Sequence, residues 1–420
     1  MFSTPEVFLK NSKKSFSKND FAKAAEKKVY RPVVFAGKKQ KMIRMLIWVN
    51  IILISLKTFR NPFEAIKQIK NLLQLRNKFH NGYSLNKYVQ IRSRFFYNYN
   101  APGWPSKSFN KYVTHQLRNI AKGNENNSIH TLLFAITKKC GFKCEHCFEW
   151  DNLNKKEVLT RKNLMQIVHS FQDSGVSQIQ LSGGEPLNRL DDIIFLLDHA
   201  YKGTDFWILT SGYNLTKDKA LLLKQHGLTG ITISVDHCEE QLHDQFRGVA
   251  GSFKRAFNAV EYARNAGLVV CFSICPTRKF ISKENLYKYA LLAKEAGVSF
   301  IQIMEPKATG HYANQPVTLH SNELKELEDF YEQLNFCNNN FNEYPIISYH
   351  GYYTRRIGCA GGGKDYLYVD TDGYIQSCPF CQSKLFSALD SNLQKNLSIL
   401  KQTGCALPGV KNKKENYETV

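Results

Sequence analysis

The sequence predicts an α/β fold: a partial (β/α)6 TIM-like barrel with a basic N-terminal helical extension and a small C-terminal cysteine-rich hairpin domain. Three observations predict it. Short β-branched runs alternate with helical patterns between residues 129 and 310. The excess positive charge lies almost wholly before that stretch. Past residue 311 the alternation stops, and a helix leads into a tail with spaced cysteines.

Residues 1–128 hold 25 Lys+Arg against 5 Asp+Glu, whereas residues 129–420 hold 32 against 31. This break marks the first domain boundary. A basic surface favours anionic partners and says little about fold. The apolar and charged fractions, 43% and 22%, are ordinary for a chain with a packed core. "MFSTPEVFLKNSKK" has no apolar stretch of the kind a secretory signal needs. A cytoplasmic setting is therefore expected, in which clustered cysteines among the 11 read as metal ligands or catalysts.

Within the extension, residues 1–40 are polar, Lys-rich and expected to be poorly ordered. Residues 41–57 predict a helix whose apolar run, interrupted by Arg44 and Asn50, falls short of the roughly 20 residues a spanning helix needs. Residues 61–82 predict a second helix. Asn61 caps it, Pro62 takes the first helical position and Glu64 completes a capping box. Phe63, Ile66, Ile69, Leu72, Leu73 and Phe79 share one face, with lysines opposite. Residues 87–105 read as a strand and a proline-rich loop. The composition leaves three readings of the extension open. One is a helical hairpin packed on the barrel. Another is peripheral membrane contact through residues 41–80 at the inner face. The third is RNA stacking on the aromatics around 95–104, although nucleic acid is not an expected partner.

The barrel strands are predicted at 129–137, 177–182, 205–210, 230–235, 268–274 and 299–304. The helical patterns between them mostly end in glycine, a C-cap signal. Strand–helix alternation with buried strands means a parallel sheet, and such barrels carry chemistry at the C-terminal ends of their strands. Residues 311–355 read as a helical linker and 356–420 as the tail domain, with a hairpin turn at Asp372-Gly373.

The chemistry begins at "KKCGFKCEHCFEW", residues 138–150, with Cys140, Cys144 and Cys147 on one loop. Zinc takes such thiols, with His146 as a fourth ligand. An iron–sulfur cluster takes them too, and three ligands leave one iron of a four-iron cluster open. The neighbouring signatures favour the cluster. "LSGGEP" follows the second strand, "TSG" the third, and "SVD" ends the fourth. All fall at one rim of the predicted barrel.

In order over residues 129–306, this constellation resembles the radical S-adenosylmethionine (SAM) enzymes. The resemblance rests on the three cysteines, on Gly183-Gly184-Glu185-Pro186, and on "SVDHCEEQLHDQFRGVAGSF" at 234–253. His146 departs from it, since an aromatic residue commonly precedes the third cysteine. The resemblance implies a core 4Fe–4S cluster on Cys140, Cys144 and Cys147, whose open iron is chelated by the amino and carboxylate groups of SAM. It implies that Gly183 and Gly184 admit the methionine part and that Glu185 accepts from its ammonium. Ser234 and Arg247 are assigned to its carboxylate, and Asp236 or Ser211 to the ribose. An electron donor such as flavodoxin or ferredoxin would reduce the cluster. Cleavage of SAM would then yield a 5′-deoxyadenosyl radical that abstracts a substrate hydrogen. The resemblance names no catalytic acid or base. Read without it, Ser211 and Asp236 are loop caps, Arg247 is a surface ion pair, Cys238 is a passenger, Cys271 and Cys275 are core residues, and His243 is a polar contact.

In the tail, Cys359, Cys378, Cys381 and Cys405 resemble the SPASM or twitch extension of radical SAM enzymes, which implies one auxiliary 4Fe–4S cluster. Cys337 rivals Cys405 as fourth ligand, and a structural zinc site is the alternative. The extension is frequent among peptide-modifying relatives, so a peptide or protein substrate is expected. Small-molecule dehydrogenation or rearrangement, or a non-enzymatic metal-binding protein on the same fold, are the alternatives.

Overall fold

The extension opens with a three-stranded antiparallel sheet, β1 (Val33–Ala36), β2 (Lys87–Ile91) and β3 (Arg94–Phe96). A hairpin of helices, α1 (Gly37–Phe59) and α2 (Pro62–Phe79), is inserted between β1 and β2, and α3 (Lys107–Ala121) follows the sheet. This computed structural model describes residues 30–403 except 80–82, 124–128, 338, 360 and 362. Most of the predicted disordered start and Cys405 lie outside the described residues. Asn61 caps α2 as expected, its Oδ1 accepting from Phe63 N at 2.9 Å and Glu64 N at 3.4 Å. The capping box stays half-formed, because Glu64 accepts from Gln68 at 2.6 Å instead.

The barrel strands are β4 (Thr131–Ala135), β5 (Gln178–Ser182), β6 (Asp205–Thr210), β7 (Gly230–Ser234), β8 (Val269–Ile274) and β9 (Phe300–Ile303), parallel and in sequence order. They are covered by α4 (Arg161–Asp173), α5 (Leu190–His199), α6 (Lys217–Gln225), α7 (Glu240–Arg247), α8 (Ser252–Asn265) and α9 (Lys283–Glu295). Every residue of β5 and β8 is buried, as strands covered on both faces must be. Thr160, Thr216 and Ser282 cap α4, α6 and α9 by accepting from the third helical N–H.

Two expectations are corrected. After α10 (Ser321–Glu332), the predicted helical linker contains β10 (Ile346–Tyr349), which pairs parallel with β9 as a seventh strand. Four residues among helical and polar text carry little periodicity, so β9's open edge determines their state. The tail also differs. After α11 (His350–Ile357), the hairpin β11 (Tyr366–Val369) and β12 (Tyr374–Gln376) turns at Gly373, where φ is +83°. That much was expected. However, β11 pairs parallel with β4, so the tail continues the barrel sheet. The sheet runs β10-β9-β8-β7-β6-β5-β4-β11-β12-β13, ending at β13 (Phe386–Ser387), and α12 (Leu393–Thr403) follows.

The extension closes the N-terminal end of the barrel. The Tyr99 ring packs edge-on against Trp207 at 5.0 Å, its hydroxyl bonds Thr232 at 2.8 Å, and its carbonyl accepts from Gln178 at 3.2 Å. Asn100 pairs with His350 at 2.9 Å. Asp205 holds the extension from below, ion-paired with Arg94 and accepting from Ser108 at 2.7 Å. Phe96 and Tyr99 are therefore core residues. This removes them from the RNA-stacking reading.

Tyr99→Ala is expected to destabilise the fold by about 3–5 kcal/mol, as deletion of a buried aromatic does. Tyr99→Phe, which loses only the Thr232 hydrogen bond, should cost about 1 kcal/mol. Chemical denaturation of both variants checks the difference.

Candidate functional site

The loop after β4 carries the three cysteines, and its backbone is pinned from four sides. Gly184 N donates to Thr137 O and Glu185 N to Lys139 O, each at 2.7 Å. The Asn154 amide makes a two-point clasp on Cys140, donating to its carbonyl at 2.9 Å and accepting from its N–H at 3.1 Å. Lys143 N and Glu145 N donate to Arg247 O and Phe246 O at 3.2 and 3.0 Å. From beyond β9, His311 donates its N–H to Cys147 O and its Nδ1–H to Cys144 O, both at 2.9 Å. His311 also lies flat on Trp150, with ring centroids 3.8 Å apart. The sequence reading missed Asn154 and His311. Asn154 has φ +60°, a left-handed conformation asparagine tolerates, but nothing local announces a clasp 14 residues from its partner.

The glycine pair is required by backbone packing within the protein itself. A Cβ on Gly183 would lie 2.4 Å from Thr137 O, and one on Gly184 would lie 2.4 Å from Lys139 O. The close approach is between the β5 exit and the cysteine loop. Glu185 is buried, and burial pushes its carboxyl upward. It accepts from Thr210 Oγ1 at 2.5 Å, Ser211 Oγ at 2.6 Å, Ser211 N at 2.9 Å and Leu187 N at 3.2 Å. Ser211 is thus brought to Glu185, and Ser234 stands half-buried at the end of β7.

Asp236 and Arg247 form a buried ion pair at 2.5 Å, and Arg247 Nη1 also donates to Cys144 Sγ at 3.4 Å. Burial alone would raise the Asp236 carboxyl, but the guanidinium holds it below its ordinary value. Burial opposes charge on Arg247 as well, yet Asp236 and Cys144 raise its pKa. Asp236 Oδ1 accepts from Cys275 N at 3.0 Å, and Asp236 N donates to His243 Nδ1 at 3.1 Å. The surface ion pair considered for Arg247 is therefore a buried one. It ties the SVD segment, α7 and the cysteine loop together. His243 is the expected polar contact, Cys271 and Cys275 are the expected core residues, and Cys238 is half-buried.

Burial pushes the Cys140 thiol up to about 11 and the Cys147 thiol up to about 12. Cys144 is also raised by burial, with Arg247 opposing. Such thiols ionise when a metal takes the proton's place, as thiolate ligation requires. Three half-buried or buried thiols on one loop pinned by hydrogen bonds are a donor set that an iron–sulfur cluster takes. His146 does not complete a zinc set. Its ring stacks on Phe246 at 5.0 Å, where burial holds it at about 4, and it takes the place of the usual aromatic residue. Among the described residues, no three His, Cys, Asp or Glu side chains are grouped to hold a metal ion.

The tail meets this loop directly. Lys138 is ion-paired with Asp372 of the hairpin turn, Tyr368 Oη donates to Glu149, and Gln382 donates to Phe148 O at 2.8 Å. Cys378 and Cys381 have their sulfurs 3.2 Å apart. Phe380 between them contacts Phe148, the neighbour of Cys147, with ring centroids at 6.0 Å. Cys359 Sγ accepts from Gly361 N at 3.3 Å, and a Cβ on Gly361 would lie 2.9 Å from Ser377 O. The Cys359 segment therefore lies against the residue preceding Cys378. Cys337 is exposed on a π-helical turn after α10.

A parallel α/β barrel with a three-cysteine loop after its first strand and a Gly-Gly-Glu turn after its second defines a radical SAM domain. Residues 134–303 match the Radical SAM superfamily, a family whose members work with a 4Fe–4S cluster and SAM. It is similar to the GTP 3′,8-cyclase of Aliarcobacter butzleri strain RM4018, 27% identical over 205 residues, which are 47% of this chain and 61% of the relative. The chain thus spans somewhat under two thirds of that relative's length. It is 24% identical over 276 residues to a probable GTP 3′,8-cyclase of Saccharolobus islandicus strain M.14.25, covering 62% of this chain and 86% of the relative. Its fold is similar to that of Streptococcus suis SuiB bound to the precursor peptide SuiA, with a TM-score of 0.53, 16% identity and 70% of each chain covered.

Gly184→Ala should lower the iron bound per chain after anaerobic reconstitution, because its Cβ meets the Lys139 carbonyl. Gly141→Ala adds a Cβ that meets nothing within 4 Å and should leave iron content unchanged. Equal iron in both variants would show that the loop-on-loop contact is not what holds the ligands.

Proposed function

We propose that this chain cleaves SAM reductively at a cluster held by Cys140, Cys144 and Cys147 and modifies a peptide or protein by hydrogen-atom abstraction. The observation that carries the reading is the cysteine loop itself, fixed at the mouth of the barrel by Gly184, Asn154, Arg247 and His311. When bound, SAM and a reduced cluster would supply a 5′-deoxyadenosyl radical. The protein's part is placement and exclusion of water. Arg247 offsets thiolate charge at Cys144, and Asp236 fixes the guanidinium. Tyr99 and Asn100 close the far end of the barrel. Ser234, half-buried at the rim, remains assigned to the SAM carboxylate, with the Gly183–Glu185 turn beside the methionine part. An electron donor of flavodoxin or ferredoxin type completes the system.

The second part of the proposal is an auxiliary 4Fe–4S cluster on Cys359, Cys378 and Cys381, with Cys405 as fourth ligand. The Phe148–Phe380 contact supports it, since it sets the tail thiols directly behind the core loop. Held there, the group would either take an electron from a product radical or anchor the substrate.

The names of the relatives favour a second reading, a nucleotide substrate such as GTP. A triphosphate needs several cations free to meet it. At the barrel mouth Lys138 is paired with Asp372, Arg247 with Asp236, and both Lys307 and Arg355 with Glu305. Lys139 and Lys143 of the cysteine loop are exposed, so this pairing does not exclude a triphosphate, and the preference for a peptide rests on the fold shared with SuiB.

Cys140→Ala, Cys144→Ala and Cys147→Ala should each abolish formation of 5′-deoxyadenosine under anaerobic reducing conditions. Production by the triple variant would overturn the ligand assignment. Changing Cys378 and Cys381 together to Ala should remove about four irons, one cluster's content, and leave some uncoupled SAM cleavage. Loss of zinc with unchanged iron would replace the auxiliary cluster with a zinc site. Supplying deuterated peptide or GTP and following deuterium into 5′-deoxyadenosine distinguishes the two substrate classes.

A further inference from the structure

Helix α1 is apolar on two opposite faces, and only one of them is covered. Ile43, Ile47 and Ile51 are buried in a cluster with Tyr88, Phe109, Val113 and Leu117. On the other side Met42, Met45, Leu46, Val49, Ile52, Leu53 and Leu56 are exposed, at the three- and four-residue steps of a continuous helical stripe. Met45 is 59% exposed and Leu53 60%. Helix α2 behaves alike. Its apolar face is split, with Phe63 85% exposed and Ile66 51%, while Ile69 and Leu72 are half-buried and Ala65 and Gln68 are buried. An exposed aliphatic surface of this extent is rare on a protein that meets only water.

The helix is also longer than its sequence pattern suggested. Its 23 residues are long and apolar enough, by length and composition, to cross a bilayer. Packing speaks against a crossing. One face is committed to α3 and β2, and Asn50 bonds Asn110 across that contact at 3.1 Å. The stripe is therefore available from one side only.

Charge identifies what lies on that side. Residues 27–124 contain 20 Lys+Arg and a single acidic residue, Glu64. Lys38, Lys39 and Lys41 are exposed at one end of the stripe, Lys57 and Arg60 at the other, and Lys67 and Lys70 on α2. Aliphatic residues framed by lysines suit hydrocarbon beneath anionic headgroups. They suit nucleic acid less well, since it would call for several exposed aromatics to stack its bases, whereas the exposed residues of these faces include one, Phe63. A second copy of the chain would bring the same positive charge against itself.

We infer that the outer faces of α1 and α2 form a docking surface for an anionic lipid bilayer, on which the enzyme lies peripherally. The helices would rest in the interface plane with Met45, Val49, Leu53 and Phe63 in the acyl region. The basic residues at both ends would meet the phosphates.

The test is co-sedimentation of full-length protein with vesicles of equal phosphatidylglycerol and phosphatidylcholine, and with phosphatidylcholine alone. Binding to the anionic vesicles is expected, with a part that survives salt because it is apolar. The exposed double substitution Met45→Glu/Leu53→Glu should weaken it at least about tenfold and leave far-UV circular dichroism and iron content unchanged. Lys38→Glu/Lys41→Glu should weaken only the salt-sensitive part. No binding to anionic vesicles by the folded protein overturns the inference. Equal binding to both vesicles overturns its electrostatic half. A concentration-dependent dimer in sedimentation velocity, abolished by Met45→Glu/Leu53→Glu in a protein that ignores vesicles, would assign the face to a second copy. Binding to single-stranded RNA without binding to vesicles would assign it to nucleic acid.

Discussion

The buried pair of Asp236 and Arg247 is the interaction on which the site depends. Two charges with little water around them are costly unless each finds enough partners. Asp236 gains a guanidinium and the Cys275 N–H, and Arg247 gains a carboxylate and the Cys144 sulfur. These partners come from β7, α7, the end of β8 and the cysteine loop. Making these contacts fixes four segments at once, while Arg247 Nε is left without a hydrogen-bond partner. The same interaction gives Cys144 a positive neighbour, which is what a thiolate ligand needs.

Around that pair much of the hold on the cysteine loop is through its backbone. Carbonyls of Thr137, Lys139, Cys140, Cys144 and Cys147 each accept from a segment outside the loop. A loop held this way can keep its thiols in place without using them for packing. The rim glycines belong to the same design, since a side chain at either position would push the β5 exit off the loop. The tail supports the loop from behind, through Asp372 on Lys138 and Tyr368 on Glu149. Pairing of β11 with β4 brings the two cysteine groups together as parts of one sheet.

The extension serves two ends of the molecule differently. Its β-hairpin and following loop insert Tyr99 into the barrel and take part in the core. Its helices use one side for packing and leave the other apolar and basic. A helix with two apolar faces gives no amphipathic signal, because the faces cancel around the wheel. The covered and open faces of α1 were for that reason indistinguishable by pattern.

Much of the fold and of the site was legible in the order of the residues. Strand–helix alternation located β4 to β9 within a few residues. The placement of Cys140, Cys144, Cys147, Gly183, Gly184, Glu185 and Asp236 at strand ends was readable because period-2 runs end where the chemistry-bearing residues begin. The sequence by itself also determined the charge break, the cap at Asn61 and the turn at Gly373, which follow from local propensity. Tertiary structure alone decided the partners. That β10 and β11 join the sheet depends on edges supplied by β9 and β4. That Arg247 meets Asp236 and Cys144, and that Asn154 and His311 grip the loop, depends on contacts between residues far apart in the chain. The physical reason is that local pattern records which face of an element is apolar. Which neighbour covers that face, and which is left to the surroundings, is settled only when the elements pack.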